Sequence, residues 1–272
     1  MHETKRPPPW VVRRMPANPI SIKTMPKSSA SPEDEYSQRG RRALNTDPVV
    51  SIPPAVYPGR QPLAGPRAQL EPLEPRRHCD GLFDVGHADE TALALWEYLP
   101  YGPFADRTVI HNWMRQCAAS PDPVFCALRD IQSERLMGMA SFLEIRPMIG
   151  VIEIGHIWFA PPFQKTPQAT EALVLMMRHA FDDLANRRLE WKCNALNLSS
   201  RNAALRLGFR YEGVFYNHNI VKGKNRDTAW YSILDSEWPA VQTNLERWLA
   251  AANFDSDGRQ RSSLSTLNKA LW

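Results

Sequence analysis

Residues 151–209 constrain the fold of this chain more than any other stretch. An apolar run, Val151-Ile-Glu-Ile-Gly-His-Ile-Trp-Phe159, reads as a strand, and a short loop over 160–165 leads into a helix that opens Thr166-Pro167-Gln168-Ala169-Thr170-Glu171-Ala172. Leu173, Met177, Ala180, Phe181 and Leu184 recur at helical spacing, so the segment 167–186 lays one apolar face on a core. A second strand (189–194) and a second helix (199–207) follow, before Gly208-Phe209. A strand that feeds a helix N-terminus presents free backbone amides and the positive end of the helix dipole to an anion. Thr166 suits the cap and Pro167 the first helical position, where an N–H is not needed. The amides of Gln168, Ala169 and Thr170 are then expected to meet phosphate oxygens, with Lys165 adding a positive charge. A second strand and helix alongside can wall the remainder of a long phosphate-bearing cofactor.

The flanks differ sharply from this centre. Of 24 prolines, 15 fall in residues 1–75, and residues 1–66 hold ten Lys/Arg against five Asp/Glu. The basic balance therefore belongs to the N-terminal part, and net charge gives no ground for nucleic-acid binding by the folded part. Residues 1–62 are expected to be a disordered tail, with Pro7-Pro8-Pro9-Trp10 a possible ligand for a proline-recognition module. From Arg67 onward the pattern is that of a fold. A strand spans 67–73, a helix 89–99, and Asp106 caps a second helix carrying Val109, Ile110, Trp113, Met114 and Cys117. Strands over 124–128 and 136–145 flank a charged turn as a hairpin, two more cover 210–221 and 227–234, and a last helix starts at Trp238-Pro239. The order β-α-α-β-β-β-α-β-α-β-β predicts an α/β (α+β) domain over 63–254, one mixed sheet flanked by helices, followed by a loose tail over 255–272.

Cys79, Cys117, Cys126 and Cys193 form no C-x-x-C pair and no cluster with metal-ligand spacing, which predicts reduced thiols, no metal and a cytoplasmic setting. No apolar run reaches the ~18 residues of a spanning helix, and no membrane contact is expected.

Four local patterns together resemble the GNAT superfamily of acetyl-CoA-dependent N-acetyltransferases, in the branch of the ribosomal-protein alanine acetyltransferases. Leu70-Glu71-Pro72-Leu73 resembles the opening strand, and Glu153-Ile154-Gly155 the start of the cofactor strand. Gln164-x-x-x-x-Ala169-Thr-Glu-Ala172 stands where the family has its pyrophosphate loop, and Asn197-x-x-Ser200 with Leu207-Gly208-Phe209 resembles the next helix. The resemblance covers residues 69–238 and implies a mostly antiparallel central sheet. One position departs from it: Pro167 stands in place of the loop's middle glycine and offers no amide.

The resemblance implies acetyl-CoA as the acetyl donor and an amine as acceptor, with direct transfer between them. It places the thioester beside the backbone of Ile157 and Trp158, the phosphates on residues 164–170 beginning with Gln164, Asn197 on the pantetheine arm, and Ser200 near the sulfur as proton donor. Asn197 and Ser200 serve equally well, on their sequence alone, as turn and cap residues. The attacking amine must be neutral, so a base is required. Glu153, His156 and His218 are candidates, with Glu153 and His156 expected on opposite faces of their strand. A glutamate that some relatives place in the hairpin after Gly-Phe corresponds here to Asn219, so that role does not transfer, and Glu212 reads as structural. Cys193, on a predicted buried strand, argues against a covalent acetyl-cysteine. Asp84, Asp89 and Glu90 could draw in a cationic acceptor. The acceptor, a protein N-terminus or a small molecule, stays open. A catalytically silent acyl-CoA-binding module is the alternative from a different class.

Overall fold

The computed structural model describes residues 42–44 and 53–271. Its centre is an eight-stranded sheet of β1 (Leu63–Ala64), β2 (Ala68–Pro72), β3 (Val124–Asp130), β4 (Leu136–Arg146), β5 (Val151–Phe159), β6 (Arg188–Asn194), β7 (Arg210–Val221) and β8 (Lys224–Leu234). The order is β1-β2-β3-β4-β5-β6-β8-β7, antiparallel throughout except where β5 lies parallel to β6. The mixed, mostly antiparallel sheet expected from the sequence is the one observed. A parallel neighbour demands a crossover, and the helix following β5 provides it.

The helices are α1 (Pro75–Gly86), α2 (Glu90–Leu93), α3 (Arg107–Ala119), α4 (Pro167–Arg178), α5 (Leu198–Arg206), α6 (Trp238–Leu249) and α7 (Leu264–Lys269). Alternation along the strands divides the core in two. Leu128, Phe142, Ile152, Ile154, Leu189 and Trp191 pack with Met176 of α4, Ala204 of α5 and Leu245 of α6 on one face. Phe125, Ala127 and Met139 pack with Leu82 of α1 and Ile110 and Met114 of α3 on the other. Among the described residues no helix is long and apolar enough to cross a membrane.

Three elements differ from the sequence expectation. Helix α1 was not anticipated, because Gly81 and Gly86 lower helix propensity by about 1 kcal/mol each. Those glycines set its packing distance: a Cβ on Gly86 would lie 2.8 Å from the Trp96 ring, and one on Gly81 2.8 Å from Leu136. The helix expected over 89–99 is cut to α2 plus a 3-10 turn at Ala94–Trp96, with Asp89 capping through the amide of Ala92 at 2.9 Å. The segment expected to be a loose tail from Asp255 instead closes on the body. Phe254 bridges to Gln260, and Leu264 and Asn268 of α7 are buried. Asn268 donates to the Arg206 carbonyl at 2.8 Å and accepts from Asn244 at 3.2 Å, contacts invisible in a polar, unperiodic sequence.

On the N-terminal side, residues 1–41 and 45–52 of the expected tail, with the proline motif, lie outside the described residues. Residues 53–62 run along the body: Ala55 donates to the Pro147 carbonyl and Val56 to that of Leu184, at 3.0 and 2.8 Å. Arg42 donates to Glu237 at 2.7 and 2.5 Å and to the side chains of Glu212 and Ser232 at 2.7 Å each. Short stretches of the predicted tail are thus held by specific partners.

A bulge in β5 shapes everything downstream. Met139 pairs with Trp158 but Ser141 pairs with Gly155, so β5 carries one extra residue there, and His156 takes a left-handed φ of 51°. Just past the bulge, Gly138 of β4 pairs with Phe159 at φ 152°, where a Cβ would sit 2.0 Å from the Trp158 carbonyl oxygen. Gly138→Ala is expected to lower stability by about 2–4 kcal/mol, measured by denaturant unfolding, because either the bulge or the strand pairing must give way.

Candidate active site

The parallel pairing of β5 with β6 covers only Val151↔Arg188, Ile152↔Leu189 and Glu153↔Glu190. Beyond Glu153 the two strands part, and the β6-facing edge of β5 has no strand partner. A cleft of about 1140 Å³ occupies the gap. Ile157, Trp158, Gln164, Lys165, Ala169, Thr170, Asn197 and Ser200 line it, as do Pro167, Trp191, Arg206 and Trp248. Its far wall includes Arg259, Gln260 and Ser263, from the segment the sequence had marked as a tail. The residues fit a long ligand whose polar end lies at α4 and whose acyl end reaches the bulged strand.

At the α4 N-terminus the expected set of free amides is smaller than the sequence suggested. Thr166 Oγ1 accepts from the Ala169 amide at 3.2 Å, and the Thr166 carbonyl accepts from the Thr170 amide at 3.1 Å. Capping and helix continuation consume both donors, and Pro167 has none. Among the described residues the Gln168 amide alone of the three has no partner, while Thr166 and Gln168 do not themselves line the cleft. Lys165 holds the loop in a left-handed turn, φ 62°, and Gln164 Nε2 ties it to the Phe159 carbonyl at 3.0 Å. Gln164 and Thr166 are therefore loop-shaping residues in this structure.

Asn197 Oδ1 caps α5 by accepting from the Ser200 amide at 3.0 Å, so its amide nitrogen remains for a ligand. Ser200 Oγ accepts from Trp191 Nε1 at 3.0 Å and stands beside Cys193, at the wall of the cleft. Burial pushes the Cys193 thiol up to about 11, which leaves it neutral and unfit as a nucleophile. That agrees with the expectation of direct transfer.

The candidate bases are rearranged by the bulge. Glu153 faces away from Ile152 and Ile154, on the α1/α3 side, and the extra residue turns His156 to that same side, where its ring lies 5.0 Å from Phe125 and 5.5 Å from Tyr101. Strict alternation had put them on opposite faces; the left-handed φ of His156 removes that separation. Burial pushes Glu153 up to about 7, although Lys192 Nζ, 2.7 Å away, works in the opposite direction. Its register partner Glu190 is also desolvated, but bonds from Arg188 and Lys192 hold it below the ordinary carboxylate range. Two neighbouring carboxylates are thus driven apart in acidity, the arrangement that divides proton-accepting from charge-holding roles. His156 is pushed down to about 4 by burial and is neutral at ordinary pH. His218 lies exposed on β7, with Nδ1 3.0 Å from Thr228 Oγ1 and its ring 5.8 Å from that of Trp230. Lys192 Nζ lies 4.2 Å from the centre of that Trp230 ring, so one band joins His218 to Glu153 without direct contact.

Lys192, Glu190 and Trp230 carried no motif and were missed; alternation on β6 and β8 opposite the core-facing Trp191 and Tyr231 was the available signal. Among the described residues, Tyr101 OH, Trp158 Nε1 and Trp230 Nε1 are buried with no partner in the protein, which suits a polar ligand on this face. Asp84 is engaged by Arg107 and Asp89 by the α2 cap, so neither is a free lure for a cation. Glu212 is structural, bonded to Arg188 at 2.6 Å.

Comparison with known proteins agrees with this geometry. The family described as Acetyltransferase (GNAT) domain matches residues 67–210. A GCN5-related N-acetyltransferase from Brucella melitensis has a crystal structure that is 42% identical, with a TM-score of 0.78, covering 80% of this chain and 98% of that one. In Bacillus subtilis (strain 168), the protein named "Putative ribosomal N-acetyltransferase YdaF" is 29% identical over 170 residues, 61% of this chain and 90% of that protein. A ribosomal-protein-serine acetyltransferase of Escherichia coli (strain K12) is 30% identical over 107 residues, 39% of this chain and 59% of that protein. These relatives bear the names of enzymes, not of silent binding modules. A cleft between parting strands, walled by a capped helix and matched by these relatives, places the chain in the GNAT acetyltransferase family, as an acetyl-CoA-dependent N-acetyltransferase.

Proposed function

We propose that this acetyltransferase acts on the α-amine of a protein N-terminus, with Glu153 as general base and Ser200 as proton donor to the departing thiol. The carrying observation is the Glu153/Glu190 pair at the point where β5 and β6 part, one carboxyl pushed up to about 7 and the other held low. An N-terminal α-amine has an ordinary pKa of about 8, so a base near 7 is matched to removing its proton at neutral pH. The acceptor class is supported by the two relatives whose names refer to ribosomal substrates. The four free cysteines support a reducing, cytoplasmic setting.

In this reading Glu153 takes the proton from the attacking amine, directly or through one water, as the carbon–nitrogen bond forms. The β5 backbone at Ile157 and Trp158 offers donors to the carbonyl oxygen as it gains charge. Ser200 gives a proton to the sulfur as the carbon–sulfur bond breaks, and recovers it from water. Acetyl-CoA, when bound, supplies the activated acyl group. Lys192, itself paired with Glu190, holds Glu153 in place.

Glu153→Gln is expected to lower kcat about 100- to 1000-fold with little change in KM for acetyl-CoA. Wild-type kcat/KM should rise with pH through an inflection near 7, because Glu153 accepts a proton only once ionised, and Glu153→Gln should lack that inflection. A retained inflection, or an equal loss in His156→Asn, would remove Glu153 from the role. Ser200→Ala should cost about tenfold in kcat, read by thiol release. Peptides with free N-termini should be turned over and their N-formylated forms should not; turnover of small amines alone would overturn the acceptor assignment.

A further inference from the structure

Arg206, at the end of α5, belongs to none of the sequence motifs. It lines the cleft, and its Nη1 donates to Thr170 Oγ1 at 3.1 Å, in the first turn of α4. Its guanidinium carbon lies 4.5 Å from the centre of the Trp248 ring, and Trp248 Nε1 in turn donates to Gln260 Oε1 at 2.7 Å. Its own carbonyl is held by Asn268 of α7. The side chain is therefore positioned from both sides, by α6 and by the C-terminal segment beyond the family match at residue 210.

Three other half-buried arginines have carboxylate partners: Arg129 has Glu71, Arg188 has Glu190 and Glu212, and Arg67 has Glu171. Arg206 has none among the described residues, and burial alone holds it below its ordinary range. A guanidinium carries five N–H donors, and a desolvated one without a counter-ion is costly to keep. Here it stands beside a helix N-terminus, at a loop where proline has removed one amide and Thr166 has consumed another.

We infer that Arg206 grips the diphosphate of CoA, replacing with a side-chain fork the backbone donors that this loop lacks. Planar guanidinium matches two phosphate oxygens at once, and the Trp248 ring and the C-terminal segment hold it in that orientation. This rests on the use of acetyl-CoA as donor, and the test separates the two claims.

Steady-state rates are compared with acetyl-CoA and with acetyl-pantetheine, which carries the same thioester and no phosphate. Arg206→Gln is expected to lower kcat/KM for acetyl-CoA by about 10- to 100-fold, mostly through KM, and at least tenfold more than for acetyl-pantetheine. Calorimetric CoA affinity should fall by a similar factor. Arg206→Lys keeps the stem on Trp248 and the charge but not the fork. It should fold as wild type and lose about threefold to tenfold with acetyl-CoA only. Equal losses with both donors, or no loss with acetyl-CoA in either variant, would overturn the assignment. If wild type neither binds CoA nor uses acetyl-CoA, the donor reading itself fails, and Arg206 with it.

Discussion

The structure depends on a parallel strand pair that is allowed to hold for only three residues. Val151, Ile152 and Glu153 pair with β6, and then the bulge at His156 bends β5 away. The remaining length of β5 cannot rejoin β6, so its edge faces the cleft instead of a ladder. Gly138 is the price of that bend on the neighbouring strand, since any side chain there would meet the Trp158 carbonyl. Helices α4 and α5 start where the strands end, one on each side of the opening, and their first turns become its walls.

The same divergence organises the charges. Glu153 and Glu190 are the last in-register residues before the gap, and both are buried. Two adjacent buried carboxylates cannot share one environment without cost, and the surrounding cations settle the matter unequally. Glu190 receives Arg146, Arg188 and Lys192, whereas Glu153 receives Lys192 alone. The carboxyl with fewer partners is the one free to exchange protons near neutral pH. Elsewhere the cleft shows the complementary arrangement at the α4 end: Lys165 and Arg206 line it with no ion pair among the described residues.

Much of the frame was legible because it rests on local rules. The apolar run at β5, the Thr166-Pro167 start of α4, the Asp106 cap of α3 and the β3–β4 hairpin each follow from periodicity, capping or turn chemistry. The errors arose where distant contacts override those rules. Gly81 and Gly86 weaken a helix locally yet permit α1 to approach the sheet, and α7 is held by Asn244 and Arg206, far away in sequence. The free-amide count at α4 failed for a related reason: the cap that announces the helix also occupies its donors.

By itself the sequence determined the sheet-and-helix frame, the cofactor strand, the two cleft helices and the family resemblance, because strand alternation, helix period and caps are written in neighbouring residues. Tertiary structure decided which side His156 faces, which of the two carboxylates Glu153 and Glu190 is pushed toward neutral pH, and that part of residues 255–271 lines the cleft. It also placed Arg206 on the cleft wall with no carboxylate partner among the described residues. Those outcomes turn on one bulge and on contacts between residues tens to hundreds of positions apart, and neither leaves a local pattern to read.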